Sequence, residues 1–186
     1  MQADWEFEVG GDAPSIDAYW EGFVDLRAAP ERVHDFPETA NCAGLAGALL
    51  KLNSSGSPVW TAKCDFWPAL DSGDYDADEL DAPEAASAHA MACYIDILPG
   101  ADGAWSLPQL AETASRQLCE LLDAVPLRCC RVDLVVRRAL LSPERTSLGI
   151  TAYITGCGAT VAEAARTLEI ALDAFANAVC DLSTLQ

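Results

Sequence analysis

Part of this chain occurs twice, and this repeat limits the folds that the sequence can adopt. Residues 23–26, Phe-Val-Asp-Leu, return 71 positions later as Tyr-Ile-Asp-Ile at residues 94–97. Residues 35–38, Asp-Phe-Pro-Glu, return at the same offset as Ser-Leu-Pro-Gln at residues 106–109. The pattern around each copy predicts a strand, a helix and a strand, which favours an α+β architecture with internal pseudo-symmetry.

Hydrophobic periodicity predicts the remaining elements. Apolar and polar residues alternate in five segments, which we predict to be strands: 19–27, 58–67, 91–98, 127–138 and 147–155. Helices are expected to begin near Asp35, at Ser106 and at Thr160. Each of these three residues stands three positions before Glu or Gln, which is the spacing of a capping box.

The order of these elements suggests a fold class. Residues 89–186 have the predicted order β-α-β-β-α, which is a ferredoxin-like unit without its last strand, and the first half could supply that strand. We therefore expect a ferredoxin-like two-layer sandwich built from a tandem β-α-β pseudo-repeat, with the helices on one face of the sheet. Residues 1–70 would form the first β-α-β half, residues 71–88 an acidic linker or loop, and residues 89–186 the second half.

Charge restricts the classes of partner. The chain has 29 acidic and 11 basic residues, a net charge of −18. Nucleic acid and anionic membrane surfaces would be repelled, whereas a basic protein partner or a small molecule would not. The acidic N-terminal segment lacks the pattern of a signal peptide, and no apolar run approaches the roughly 20 residues of a membrane span. We therefore expect a cytoplasmic protein.

The eight cysteines are expected to be reduced and buried, because they form no CxxC pair and most lie in apolar segments. The two histidines do not stand at zinc-binding distances from cysteines. The acidic loop lacks the glycine and the final glutamate of an EF-hand, since Glu79 and Ala85 occupy those positions. The sequence therefore predicts neither a metal site nor a cofactor.

Strand alternation places a mixed set of charged and aromatic residues on one face of the sheet, away from the helices. Aromatic residues and arginine are enriched at protein interfaces, so this face is a candidate binding or dimerisation surface. A solvated face with cross-strand Asp–Arg pairs explains the same pattern. The predicted binding face comprises Phe23, Asp25, Asp65, Trp67, Tyr94, Asp96, Arg131, Asp133, Arg137 and Tyr153.

Two hypotheses of function follow. The first is a non-enzymatic binding or assembly module that forms a homodimer through this face. The second is a small cytoplasmic enzyme. Its acid–base groups would be paired carboxylates of the sheet face, Asp25 with Asp65 or Asp96 with Asp133. Alternatively, Cys157 would be a nucleophile with a pKa lowered by the following helix N-terminus. A plain glycine turn before the helix is the alternative explanation of the segment around Cys157.

Overall fold

The computed structural model describes residues 1–70, 73–101, 104–142 and 144–182. These residues form a mixed α+β fold in which four helices pack on an open sheet of six strands. The strands are β1 (Gln2–Glu8), β2 (Ser15–Asp17), β3 (Val59–Trp67), β4 (His89–Pro99), β5 (Cys130–Ser142) and β6 (Arg145–Gly158). The helices are α1 (Pro37–Asn41), α2 (Ala43–Leu52), α3 (Pro108–Asp123) and α4 (Val161–Cys180).

Both halves of the chain contribute to this one sheet. The strand order is β1-β5-β6-β4-β3, and β2 pairs with the far end of β5 beyond β1. β1 and β2 run parallel to β5, whereas all the other neighbours are antiparallel. The predicted hairpin of 127–138 with 147–155 is confirmed by the β5–β6 pairing. The N-terminal third of the chain therefore forms both edges of the sheet, and the C-terminal half forms its centre.

The helices cover one face of the sheet. Alternate residues of the central strands join the apolar sides of α2, α3 and α4 in a single core. A methyl group on Gly156 or Gly158 of β6 would lie 2.6 or 2.5 Å from a backbone nitrogen of α4. Glycine at these two positions therefore allows α4 to lie directly against β6. Of the three predicted capping boxes, the one at Thr160 is confirmed, since its hydroxyl accepts a 3.2 Å hydrogen bond from the Glu163 amide. The predictions for Asp35 and Ser106 are wrong, because the N-cap residues of α1 and α3 are Phe36 and Leu107, without a side-chain cap hydrogen bond.

The structure does not confirm the tandem β-α-β repeat. Residues 19–27, predicted to be its first strand, are turns and irregular backbone, so that prediction is wrong. The apolar residues of this segment do not alternate between two faces of a sheet. They pack against strands from elsewhere in the chain, as Phe23 does against Trp60 of β3. The first predicted helix is also interrupted, because Cys42 has extended dihedral angles between α1 and α2.

A bulge in β3 alters the predicted alternation. Thr61 pairs with Ile97, but Cys64 pairs with Ile95, so three steps on β3 match two on β4. Ala62 therefore lies with Trp60 on the face away from the helices, and Cys64 packs towards the helices. Strict alternation along residues 58–67 would put Ala62 and Cys64 on the same face, and the extra residue of the bulge is the reason for the difference.

Two segments cross the face opposite the helices, here called the far face. The N-terminal strap, residues 15–27, begins on β5, where β2 pairs with residues 138–140. It then reaches β3, where the Trp20 indole donates a 3.0 Å hydrogen bond to the carbonyl oxygen of Ala62. The acidic strap, residues 73–88, buries Leu80 and Ala82 at the opposite end of the face. Each strap therefore covers one end of the far face and leaves the middle open.

No helix of the described residues is long and apolar enough to cross a membrane.

Candidate functional site

The open middle of the far face forms a groove. One part has a volume of about 500 Å³ and lies between the N-terminal strap and the strands. A second part of about 500 Å³ runs along β1 and β5 and shares Arg137 and Tyr153 with the first. The first part is lined by Pro14, Ser15, Asp17, Trp20, Lys63, Trp67, Tyr94, Asp96, Arg137 and Tyr153.

A row of three aromatic side chains crosses the floor of the groove, hereafter the aromatic row. The ring centroids of Trp67 and Tyr94 are 5.8 Å apart, and those of Tyr94 and Tyr153 are 5.9 Å apart. The row is positioned by strand pairing, because Tyr94 lies directly opposite Tyr153 on β4 and β6. The Arg137 guanidinium extends the row, at 5.7 Å from the Tyr153 ring centroid. Contiguous rings of this kind offer a surface for stacking or for a cation.

A chain of hydrogen bonds runs beside the aromatic row. Arg137 donates to Glu8 through Nε and Nη2, at 2.9 and 2.7 Å, and through Nη1 to the hydroxyl oxygens of Thr151 and Tyr153, both at 3.2 Å. Thr151 in turn donates a 2.6 Å hydrogen bond to Oδ1 of Asp96. The network Glu8–Arg137–Thr151–Asp96 therefore links an edge strand to the floor of the groove.

Asp96 is the most unusual charged group of the site. The residue is only 8% exposed, yet it makes no ion pair within 4 Å among the described residues. Burial raises the pKa of this carboxyl, and it outweighs the opposing effects of the Thr151 hydrogen bond and of the positive charges of Arg137 and Lys63. Burial of an unpaired carboxylate costs free energy, and a hydrogen-bond donor from a ligand would offset part of that cost.

Asp133 has a different environment. Its carboxylate accepts a 2.7 Å hydrogen bond from Nε of Arg131. Nη2 of the same arginine lies 3.7 Å from Oδ2 of Asp4. Burial raises the pKa of Asp133 more than the Arg131 hydrogen bond lowers it. β6 separates Asp133 from Asp96, which places their strands about 10 Å apart. The structure therefore does not bring these two carboxylates together as an acid–base pair.

The remaining predicted face residues divide between the groove and the strap. Trp67 forms one end of the aromatic row, and Asp65 lies opposite Tyr94, with Oδ1 accepting from the Phe66 amide at 2.8 Å. Phe23 and Asp25 are not on a strand, because they belong to the N-terminal strap. Asp25 forms two 2.8 Å hydrogen bonds with Arg27, which lower its pKa.

The structure argues against Cys157 as a nucleophile. Cys157 is a buried residue near the end of β6, where it packs under the acidic strap with Leu80 and Cys129. Burial, followed by the neighbouring Cys129 thiol, raises its pKa to about 12. A lowered pKa was expected from the helix N-terminus, but desolvation of the thiolate has the larger effect here. All eight cysteines are free thiols.

Sequence reasoning missed the partners that organise the site. Strand alternation puts Thr151 and Lys63 on the same side as the predicted binding face, but neither was among the predicted binding residues, and nothing in the sequence marked them as neighbours of Asp96. Glu8 and Trp20 were not predicted to contribute at all. The alternation of Asp4, Glu6 and Glu8 with apolar residues in β1 was a usable signal for an edge strand with acidic side chains on the far face.

Comparison with known protein families, with curated proteins and with solved structures gives no match. Among the described residues, no group of three or more His, Cys, Asp or Glu side chains is arranged to hold a metal ion.

Proposed function

We propose that this protein is a non-enzymatic binding module and that the groove of the far face is its binding site. The observation that carries the proposal is the aromatic row lying beside the Glu8–Arg137–Thr151–Asp96 network. Exposed aromatic rings next to fixed polar groups are the usual composition of recognition surfaces. The straps give the groove defined ends, so a partner would be held in a limited number of orientations.

The partner that fits this site best is a basic segment of another protein. The net charge of −18 attracts positive charge over long range at low salt. The second part of the groove is lined by Asp4, Glu6, Glu8 and Asp133 against two arginines, so it also carries negative charge. Its continuity with the first part gives an elongated surface, which suits an extended peptide more than a compact metabolite.

Self-association is the competing use of the same face. The sequence led us to expect a homodimer, and a second copy would cover the aromatic row. However, two copies that each carry −18 repel one another, most strongly at low salt. We therefore favour a basic partner. Sedimentation equilibrium at low and high salt distinguishes the two, because a homodimer would double the mass in the absence of any partner.

A small cytoplasmic enzyme is the second candidate, and Asp96 is the observation that favours it. A buried carboxyl with a raised pKa is suited to proton transfer. Asp133, the other predicted acid–base group, lies two strands away and accepts a hydrogen bond from Arg131. This separation of the two predicted groups is the reason that we rank binding above catalysis.

We also propose that the sheet is a rearranged ferredoxin-like sheet. The order β5-β6-β4-β3 and the antiparallel pairing within it support this view, as does the order β4-α3-β5-β6-α4 along the chain. β3, which precedes this unit, would occupy the place of the missing last strand. In such a fold the helix-free face is available for binding, which agrees with the position of the groove.

The test is a titration of the ¹⁵N-labelled protein with peptides of equal length that are basic, neutral or acidic. We expect the basic peptides to shift the amide resonances of Trp67, Tyr94 and Tyr153, and the affinity to fall as salt is added. Resonances of the helical face, such as those of Ile170, serve as the internal control. The proposal is wrong if no peptide at millimolar concentration shifts the groove resonances.

A further inference from the structure

We propose that Asp96 and the aromatic row form a pocket for a single cationic N–H group of the partner, an ammonium or a guanidinium. This inference rests on the proposed function, because it assigns the chemical group that enters the groove. Three observations carry it. Oδ2 of Asp96 has no hydrogen bond among the described residues, aromatic rings lie beside this carboxylate, and the neighbouring charges leave the pocket negative.

The first observation is the incomplete hydrogen bonding of Asp96. Within the described residues only Oδ1 is hydrogen-bonded, and its donor is Thr151. Oδ2 has no partner there, and it is not among the polar atoms that the fold seals from solvent. Asp96 as a residue is 8% exposed, and it lines the groove. A carboxylate this deeply buried is usually paired, so the free oxygen is suited to a donor that arrives from outside.

The second observation is the aromatic row beside this carboxylate. Trp67 is 37% exposed, and Tyr94 and Tyr153 are half-buried, so their rings form part of the surface that a ligand meets. Aromatic faces attract cations through the ring quadrupole, and the attraction grows as water is excluded. A donor that reaches Oδ2 of Asp96 would therefore pass over ring faces that also favour positive charge.

The third observation is that the site has little capacity left for an anion. Arg137 has five N–H groups and already donates four hydrogen bonds, to Glu8, Thr151 and Tyr153. Its charge is offset by Glu8, which leaves Asp17 and Asp96 against Lys63 on the groove wall. Nζ of Lys63 lies 5.7 Å from the centroid of the Trp20 ring, and Lys63 makes no ion pair with Asp96. The remaining charge of the pocket is negative.

The experiment compares peptides that differ only in the terminal group of one central side chain. The host is the tightest basic peptide from the titration described above. The central residue is lysine, trimethyl-lysine or acetyl-lysine, and in a second series arginine or citrulline. Free lysine amide, arginine amide and spermidine are titrated in parallel, so that a small amine is distinguished from a protein side chain. Dissociation constants are measured by calorimetry, and the groove resonances report the site.

We expect acetyl-lysine and citrulline to bind about 10- to 100-fold more weakly than lysine and arginine. Both neutral groups keep an N–H, but without the positive charge their hydrogen bond to Asp96 is no longer charge-assisted on the donor side. Trimethyl-lysine keeps the charge but has no N–H for Oδ2, so its affinity should fall between those of lysine and acetyl-lysine. Binding of the free amines with the affinity of the peptides would identify a small molecule as the natural source of the cation.

The variant Asp96→Asn should remove the preference for charged over neutral side chains, while Glu31→Gln, an exposed acid outside the groove, should leave it unchanged. Lys63→Gln should tighten binding, since it removes a like charge. Circular dichroism establishes that each variant is folded. Equal affinity of lysine and acetyl-lysine peptides at the groove, or an unchanged preference in Asp96→Asn, would overturn this inference alone. Absence of any groove binding would overturn the proposed function with it.

Discussion

Thr151 donates a 2.6 Å hydrogen bond to Oδ1 of Asp96 across the β4–β6 pair, and both side chains are nearly inaccessible, at 1% and 8% exposure. The same hydroxyl oxygen accepts a hydrogen bond from Arg137. One hydroxyl group therefore connects a buried carboxylate to a half-buried guanidinium. Because Asp96 makes no ion pair within 4 Å among the described residues, this hydroxyl oxygen is its link to the charge of Arg137.

Thr151→Val should destabilise the protein, because valine has almost the same shape but neither donates to Asp96 nor accepts from Arg137. We expect the free energy of unfolding to fall by about 1–3 kcal/mol, the cost of leaving buried polar groups unsatisfied. Urea denaturation measures the change. Thr155→Val is the matched control, since Thr155 is on the same face of β6 and its side chain has no hydrogen bond among the described residues. Equal effects of the two substitutions would contradict the prediction.

Asp96→Asn should stabilise the protein at neutral pH. The pKa of Asp96 is raised above its ordinary value of 3.8 in the folded state, so the folded protein retains this proton to a higher pH than the unfolded chain. Stability therefore falls as the pH rises from about 3.8 through the raised pKa, and it remains lower at neutral pH. Asparagine has no charge to desolvate and can still accept from Thr151.

The expected result is a melting temperature about 2–4 °C higher at pH 7, which corresponds to roughly 1 kcal/mol for a chain of this length. The difference should disappear as the pH approaches 4. The positive charges of Arg137 and Lys63 oppose the rise in the pKa of Asp96 but do not cancel it. If the melting temperature of Asp96→Asn differed from that of the wild type by the same amount at every pH, the carboxyl of Asp96 would not titrate as described.

Gly149→Ala should loosen the N-terminal strap. A methyl group at this position of β6 would lie 2.8 Å from Cδ1 of Ile16 and 2.8 Å from Cδ2 of Leu98. Overpacking of this kind costs about 1–3 kcal/mol. Ile16→Val removes one of the two clashing atoms, so the double variant should recover part of the loss in urea denaturation.

Gly47→Ala is the control for Gly149→Ala, because it adds the same methyl group where there is space for it. A methyl group on Gly47 of α2 would meet nothing within 4 Å, so alanine should raise the free energy of unfolding by up to about 1 kcal/mol through its helix propensity. If Gly149→Ala proved as benign as Gly47→Ala, the strap could not lie against β6 as described.

Cys157 should resist alkylation in the native protein. Burial raises its pKa to about 12, so almost none of it is thiolate near neutral pH, and the acidic strap covers it. Treatment with iodoacetamide at pH 7.5, followed by mass spectrometry, should modify Cys157 no faster than the fully buried Cys93. Both should react once urea unfolds the chain. Rapid and selective modification of Cys157 would revive the enzyme hypothesis.

The sequence predicted the elements whose pattern is local and missed those that depend on pairing. Val132, Leu134 and Val136 alternate strictly with polar residues, so β5 and its apolar face could be identified directly. Residues 23–26 alternate equally well, yet they belong to the N-terminal strap. Alternation reports only that a segment has one apolar side, and it does not distinguish a strand from a loop that packs over a sheet.

The same limit applies to the candidate site. Strand parity placed Tyr94, Asp96, Arg137 and Tyr153 together on the far face, as the structure has them. The contact of Asp96 with Thr151 depends on the register of β4 against β6. Side-chain alternation does not determine this register, because a shift of one strand by two residues leaves every side chain on the same face. The bulge in β3 likewise shifts Ala62 without any glycine or proline to indicate it.

The straps and the floor of the groove come from different parts of the chain, and this division has a consequence for how such a protein can diversify. Tyr94, Asp96, Arg137 and Tyr153 are held by central strands whose other residues form the core, so changes there disturb the whole molecule. Residues 15–27 and 73–88 are surface segments, which accept insertions and substitutions more readily. Selection could therefore change which partners are admitted while the group that recognises their charge stays in place.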